Sequence, residues 1–326
     1  MDEEIIYKYV DYFKKLRRSS NKLLGKAPHK PVLILSIILL IKKGFITSNR
    51  IYINSELLLS FKNSWNKLVE TKHSCKFYLP FFHLRSEPFW FLVSKNGKML
   101  ELTRSNSIKS FKSLDETVAF AEIDKELFQI LKDEKYSSFF IELLIGLYFP
   151  NQKSNFYLNE INDIETNIQN QILKEDGENY QKLITELKFK LSDDEYEEEI
   201  YLRGGLFKRI IPKLYNYSCC ISEMRIESLS NIQMIDACHI IPFSISKNDT
   251  ITNGLSLSPN LHRAFDRGLI TINKNYIVRV SPIIIENDSP FSLSQFEGKQ
   301  IILPENDKYY PSPISLDWHN KEYYRI

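Results

Sequence analysis

The chain has 326 residues, enough for two ordinary domains, and its 43% hydrophobic content with 21 Phe and 18 Tyr can fill real cores. Four cysteines without a CxxC pair argue against a disulfide framework and suit a reducing cytoplasm; the acidic, amphipathic start MDEEIIYKYVDYF does not read as a signal peptide, and the longest apolar run, Pro31 to Ile41, is too short to span a bilayer. The net charge of +2 hides an asymmetry: residues 1–112 hold 21 Lys/Arg against 8 Asp/Glu (+13) and residues 151–200 hold 5 against 13 (−8), so the first part suits an anionic partner.

In chain order, residues 3–18 read as a helix with Ile5, Ile6, Tyr9, Val10, Phe13 and Leu16 on one side. A basic connection, Arg17 to Ala27, leads to a buried helix with Pro31 in its first turn and Gly44 at its end. Arg50 to Ile53 is a short strand, and Asn54 caps a helix through Leu57, Phe61, Trp65 and Leu68. The aromatic segment FYLPFFHLRSEPFWFLV follows, then a hairpin turning at Lys95-Asn-Gly97. Residues 113–149 read as helical, with an apolar helix Phe139 to Leu147 stopped by Pro150. Residues 151–200 form an acidic connector with a helical run near Tyr180 to Leu191; EDGEN and DDEYEEE read as solvated.

Residues 203–217 present a helical face of Phe207, Ile210, Ile211 and Leu214, leaving Lys208, Arg209 and Lys213 for phosphates. Around His239 the pattern is strand-like, Ile235 to Ile241, and stops at Pro242; around His262 it is helical, opened by Ser258-Pro259 and stopped by Gly268. A hairpin, Leu269–Ile272 and Tyr276–Val280, follows. This strand, loop and helix suit phosphodiester hydrolysis. His239 can act as general base on a water, and His262 and Asp266, spaced i,i+4, leave one helix face and can hold a divalent metal. Asn253 can position the histidine or brace the loop. Asp236 and His239 point to opposite faces of an extended strand, so Asp236 as a third ligand requires a twist or bulge.

Ala237, His239-Ile-Ile-Pro242, Ser244, Asn253-Gly-Leu-Ser-Leu257, Leu261-His262, Phe265-Asp266 and Gly268 resemble the HNH nuclease family, in the branch found in bacterial restriction-type nucleases. The resemblance covers about residues 203–282. It implies a ββα-metal fold and endonuclease activity with Mg²⁺ or Mn²⁺. Cys238 stands directly before the general base, where many members carry an acidic or histidine ligand. The adjacent Cys219 and Cys220 resemble the place of a zinc knuckle, but no second pair follows and no structural zinc is expected. In the tail, PFSLSQFEGKQIILPENDKYYPSP resembles the strand-rich ending common in this pattern, and His319 reads as a surface residue.

Ala27-Pro-His-Lys-Pro-Val-Leu33 and Tyr78-Leu-Pro-Phe-Phe-His-Leu-Arg85, with Pro88-Phe-Trp90, resemble the sulfur-binding domain of type IV restriction nucleases, over roughly residues 10–105. The resemblance implies backbone contacts from His29 and Lys30, an apolar cup for sulfur from Leu79, Pro80 and Phe81, and DNA contacts from His83 and Arg85. Leu79 stands where an aromatic is common.

The expected fold class is α+β: a helix-rich α/β DNA-recognition domain over 1–150, an acidic helical linker over 151–200, and a ββα-metal nuclease domain over 201–326. The expected function is a metal-dependent, modification-dependent DNA endonuclease acting in the cytoplasm as a homodimer on double-stranded, phosphorothioated DNA. Its alternatives are an enzyme reading methylated or hydroxymethylated bases or plain sequence, and a non-catalytic DNA-binding regulator.

Overall fold

The computed structural model describes residues 3–99, 107–157, 164–226 and 233–326. The chain divides into two compact units: residues 1–165 with 191–202, and residues 166–190 with 203–326. Among the described residues, no helix is long and apolar enough to cross a membrane.

The first unit is built on the helix His29–Lys42, whose residues from Lys30 to Ile38 are all buried. An all-round apolar helix belongs at a centre, and helices Ser55–Leu68, Tyr78–His83, Lys125–Lys132 and Glu134–Tyr148 pack on it. Gly44, at φ +77°, ends the central helix in the left-handed conformation that glycine adopts without cost. Asn54 caps the next helix, accepting from Leu57 N at 2.9 Å. The first helix, expected over 3–18, closes at Lys14; Leu16 beyond it is still buried.

A three-stranded antiparallel sheet lies in the same unit, in the order Arg50–Ile51, Val118–Ile123, Trp90–Ser94. The central strand falls where the sequence predicts helix. Its residues Val118, Ala121 and Ile123 are buried, and pairing on both sides fixes the extended state over any helical preference. Lys95 to Gly97 does turn, with Lys98 N donating to Lys95 O at 3.0 Å, but the strand before it pairs with Val118–Ile123. The return strand of the expected hairpin would fall largely on residues 100–106, outside the described residues.

The DDEYEEE stretch is not solvated throughout. It opens the helix Asp193–Leu214; Asp194 pairs with Lys76 at 3.0 Å and accepts from the Tyr78 hydroxyl at 2.8 Å. Glu198 is 1% exposed, 3.1 Å from Lys62 Nζ, and accepts from Phe77 N.

In the second unit, helices Ile164–Lys174 and Gly177–Lys190 bury Ile168, Ile172, Tyr180 and Ile184. Arg203 is buried with them and donates to the Gln171 side chain at 2.8 Å. The nuclease motif forms an antiparallel ribbon, Asp236–His239 with Gly254–Leu257, then the helix Pro259–Asp266 and the hairpin Ile270–Ile272 with Val278–Val280. Where strands were expected, the tail is largely irregular, with 3-10 turns at Ser294–Phe296 and Asp307–Tyr309. Among the described residues its one β pairing is an isolated bridge, Ile277 to Gln300, and Pro313–Glu322 is a helix capped by Ser312. His319 is buried, not on the surface. Its ring stacks on Phe265 at 3.7 Å, its nitrogens bond Thr271 Oγ1 and Phe265 O, and burial pushes its pKa down to about 4.

Candidate active site and recognition pocket

Strand alternation sorts the ribbon residues. Asp236 and Cys238 lie on one face, Ala237 and His239 on the other, in regular register: Asp236 opposite Leu257, His239 opposite Gly254. The first face meets the helix Pro259–Asp266. Pro259 presets the first turn, and Gly268, at φ +69°, stops the helix where any Cβ would lie 1.8 Å from Tyr323 O.

Here His262 sits between two carboxylates. Its Nδ1 is 3.2 Å from Asp236 Oδ2 and its Nε2 is 3.4 Å from Asp266 Oδ2. Asp236 therefore reaches the cluster from an undistorted strand; the expected twist or bulge is absent because the helix, not His239, shares its face. Ligand atoms of Cys238, His262 and Asp266 all lie within 4.8 Å of one another. The Cys238 thiol is fully buried, and burial with the nearby Asp266 carboxylate holds it protonated far above its usual range. The candidate donors are thus His262 Nε2 and the half-exposed Asp266 carboxylate beside the Cys238 sulfur, with Asp236 against the opposite ring nitrogen; the imidazole and carboxylate donors suit a divalent ion such as Mg²⁺ or Mn²⁺.

On the opposite face the His239 ring lies flat on Phe207, centroids 4.0 Å apart and planes 8° apart. Gly254, paired with His239, leaves the room this requires: a Cβ there would come within 2.3 Å of Ile211 and 3.1 Å of Phe207. His239 Nε2 is 2.8 Å from Asp249 Oδ1. Sequence reading missed Asp249, since a KNDT loop looks like solvated polar chain. Asn253 is buried and its side chain is spent on the loop: Nδ2 donates to Ile241 O and Asn248 O, and Oδ1 accepts from Ile241 N. Of the two roles open to it, the contacts are those of a loop brace. Cys219 and Cys220 are free and buried.

In the first unit, a pocket of about 590 Å³ gathers five of the seven expected DNA contacts, His29, Lys30, Leu79, Pro80 and His83, and adds Arg17 and Arg18. Phe81 and Arg85 lie outside its lining. Phe81 is fully buried against Phe77 and Trp90, and the Arg85 guanidinium sits 3.9 Å over the Phe82 ring. The expected cations are altered by their surroundings. His29 donates through Nε2 to Ser74 O at 2.9 Å and packs on Trp65; burial pushes its pKa down to about 4, so it is neutral at pH 7. Lys30 is 7% exposed and bound to the buried Glu87, which also accepts from Arg17 N. His83 Nε2 is 2.9 Å from Ser107 Oγ, and burial lowers its pKa. Exposed Arg17 and half-buried Arg18, which lies 4.5 Å from the Tyr148 ring, put cations at the rim. The Arg-Arg pair within the basic connection was the available signal.

Residues 219–273 match the model of the family described as HNH endonuclease. No curated protein matches the chain. Several solved structures are similar, among them these three. The first is the modification-dependent TagI restriction endonuclease, 18% identical over 36% of each chain, TM-score 0.27. The second is the sulfur-binding and SRA domains of ScoMcrA complexed with phosphorothioated DNA, 20% identical over 46% of each chain, TM-score 0.36. The third is the type IV phosphorothioation-dependent restriction endonuclease ScoMcrA, 11% identical over 78% of this chain and 81% of that chain, TM-score 0.34. The matches to the first two thus span less than half of those chains. HNH nucleases generally use a divalent metal. With its ribbon, its helix and the family match over 219–273, this chain carries an HNH endonuclease domain.

Proposed function

We propose that the chain is a modification-dependent restriction endonuclease, reading phosphorothioate in double-stranded DNA with residues 1–150 and hydrolysing a phosphodiester with residues 201–326. The helical segment expected as a linker, 151–200, is divided between the compact units, residues 166–190 belonging to the second and 151–165 and 191–200 to the first. The observation that carries the nuclease reading is the two-faced ribbon: His239 on one face, and Asp236, His262 and Asp266 gathered on the other. His239 takes the proton of the attacking water. His262 and Asp266 would hold Mg²⁺ or Mn²⁺, with Asp236 at the other ring nitrogen of His262 as a further candidate ligand, and the ion would supply charge stabilisation at the scissile phosphate and the leaving oxygen. Asn253 keeps the loop after His239 in place. One such centre cuts one strand, so a double-strand break calls for a homodimer matching the symmetry of the duplex.

The sulfur reading is supported by the pocket, where Leu79 and Pro80 form an apolar wall beside Arg17 and Arg18. Sulfur in place of a phosphate oxygen is larger and less hydrated, so an apolar wall favours it while the arginines hold the remaining charge. The test is cleavage of matched plasmids, unmodified, phosphorothioated, 5-methylcytosine-modified and 6-methyladenine-modified, each with Mg²⁺, Mn²⁺ or EDTA. Cutting of the phosphorothioated plasmid alone, abolished by EDTA, is expected. Preference for a methylated plasmid would move the reading to base modification, and binding without cutting would leave a DNA-binding regulator.

A further inference from the structure

We propose that Asp249 is the positioning residue of the nuclease centre: it holds the His239 imidazole with its proton on Nε2, leaving Nδ1 to accept the proton of water. The inference rests on the reading of His239 as the base. It starts from the 2.8 Å contact between His239 Nε2 and Asp249 Oδ1. An ionised carboxylate can only accept, so the ring nitrogen facing it must carry the proton. In a neutral imidazole the other nitrogen, Nδ1, then holds the lone pair.

Three further observations separate this carboxylate from an ordinary loop acid. Asp249 is 1% exposed, though it sits in a polar loop. Its second oxygen, Oδ2, is buried and among the described residues has no hydrogen-bond partner. The loop is also fixed independently of it. Asn253 ties Ile241 to Asn248, and Asn248 Oδ1 accepts from Thr250 N at 2.8 Å, which leaves Asp249 held in the middle of a braced segment. The third observation is division of labour around the ring. Phe207, lying parallel at 4.0 Å, sets the plane of the imidazole, and Asp249 sets its rotation within that plane. Together they determine which nitrogen faces outward, on a side chain that remains 21% exposed.

The test uses the full chain, with Asp249→Asn, Asp249→Glu, His239→Ala and the double variant His239→Ala/Asp249→Asn. Single-turnover DNA cleavage and DNA Kd are measured for each. Asp249→Asn preserves size, but its amide can donate to Nε2 and so favours the wrong tautomer. Cleavage is expected to fall by about 100-fold or more with Kd unchanged. Asp249→Glu should recover part of it, and the double variant should be no slower than His239→Ala. In the wild-type protein with ¹⁵N-labelled histidine, NMR at neutral pH should show His239 protonated on Nε2 and bare on Nδ1. A loop-structural role would not require either result. Wild-type cleavage by Asp249→Asn, or an Nδ1-protonated His239 in the native protein, overturns the role of Asp249 while His239→Ala stays inactive. Full cleavage by His239→Ala instead removes the base assignment itself.

Discussion

The two units treat their motif residues in opposite ways. In the nuclease unit the chemistry-bearing groups keep access to solvent: the side chains of Asp236 and Asp266 are 47% and 57% exposed and face one imidazole. In the first unit the motif cations are spent inside the fold, Lys30 on Glu87 and His29 on Ser74 O, while Arg17 and Arg18 add charge to the pocket lining. A basic letter in a motif therefore does not say where its charge is used. A buried ion pair is electrically closed, and only a cation at the rim is available to a phosphate.

The largest expected effect lies on the nuclease side. His239→Ala should slow cleavage by roughly 10²- to 10⁴-fold, the usual contribution of a general base, with DNA affinity unchanged in a filter-binding assay. A parallel loss of binding would break the contrast, since it would make His239 part of the recognition surface. His262→Ala or Asp266→Ala should also lose activity, with partial recovery as Mn²⁺ is raised; a Mn²⁺ titration showing no recovery and no change in metal affinity would remove the cluster from metal binding.

Next is the buried pair of the recognition unit. Glu87→Leu strands the Lys30 ammonium and should cost about 3–5 kcal/mol in urea unfolding. A loss below about 1 kcal/mol would show the pair to be solvated and Lys30 free for DNA. Smaller still are the rim arginines. Arg17→Ala and Arg18→Ala should each weaken modified and plain duplexes alike and lower the slope of log Kd against log salt by about one. Lys30→Ala should leave that slope unchanged while destabilising the unit.

The smallest effect is in pH. His29 has a folded pKa of about 4 against an ordinary 6.5, so between these values the unfolded chain binds more protons. Its contribution is complete above pH 6.5 and is lost as pH falls toward 4; His319 in the other unit behaves alike. His29→Gln should flatten the fall of the thermal midpoint between pH 7 and pH 5, and an unchanged profile would mean the ring is hydrated.

Much of the nuclease centre was legible because its elements are local. A cap, a proline and a glycine bound the helix of His262 and Asp266, and spacing alone places both side chains on one face. Asp249 was illegible because its meaning depends on its burial, its contact with His239 and the Asn253 brace of its loop, none of which has a local signature. The strand Val118–Ile123 was read as helix for a related reason: its partners lie far away in sequence, at Arg50–Ile51 and Trp90–Ser94. The pocket wall of Leu79 and Pro80 was visible as a motif, whereas Phe81 in the same motif turns inward to the aromatic core.

The division of labour is tested most directly by one measurement: cleavage rates of phosphorothioated and unmodified plasmids by the wild-type chain, Pro80→Asp and His239→Ala in Mn²⁺. The wild type should cut the phosphorothioated plasmid faster, Pro80→Asp should lose that preference while retaining a functional nuclease centre, and His239→Ala should cut neither. Equal rates on both plasmids by wild type and Pro80→Asp would contradict the sulfur-reading pocket, and cleavage by His239→Ala at the wild-type rate would contradict the nuclease centre.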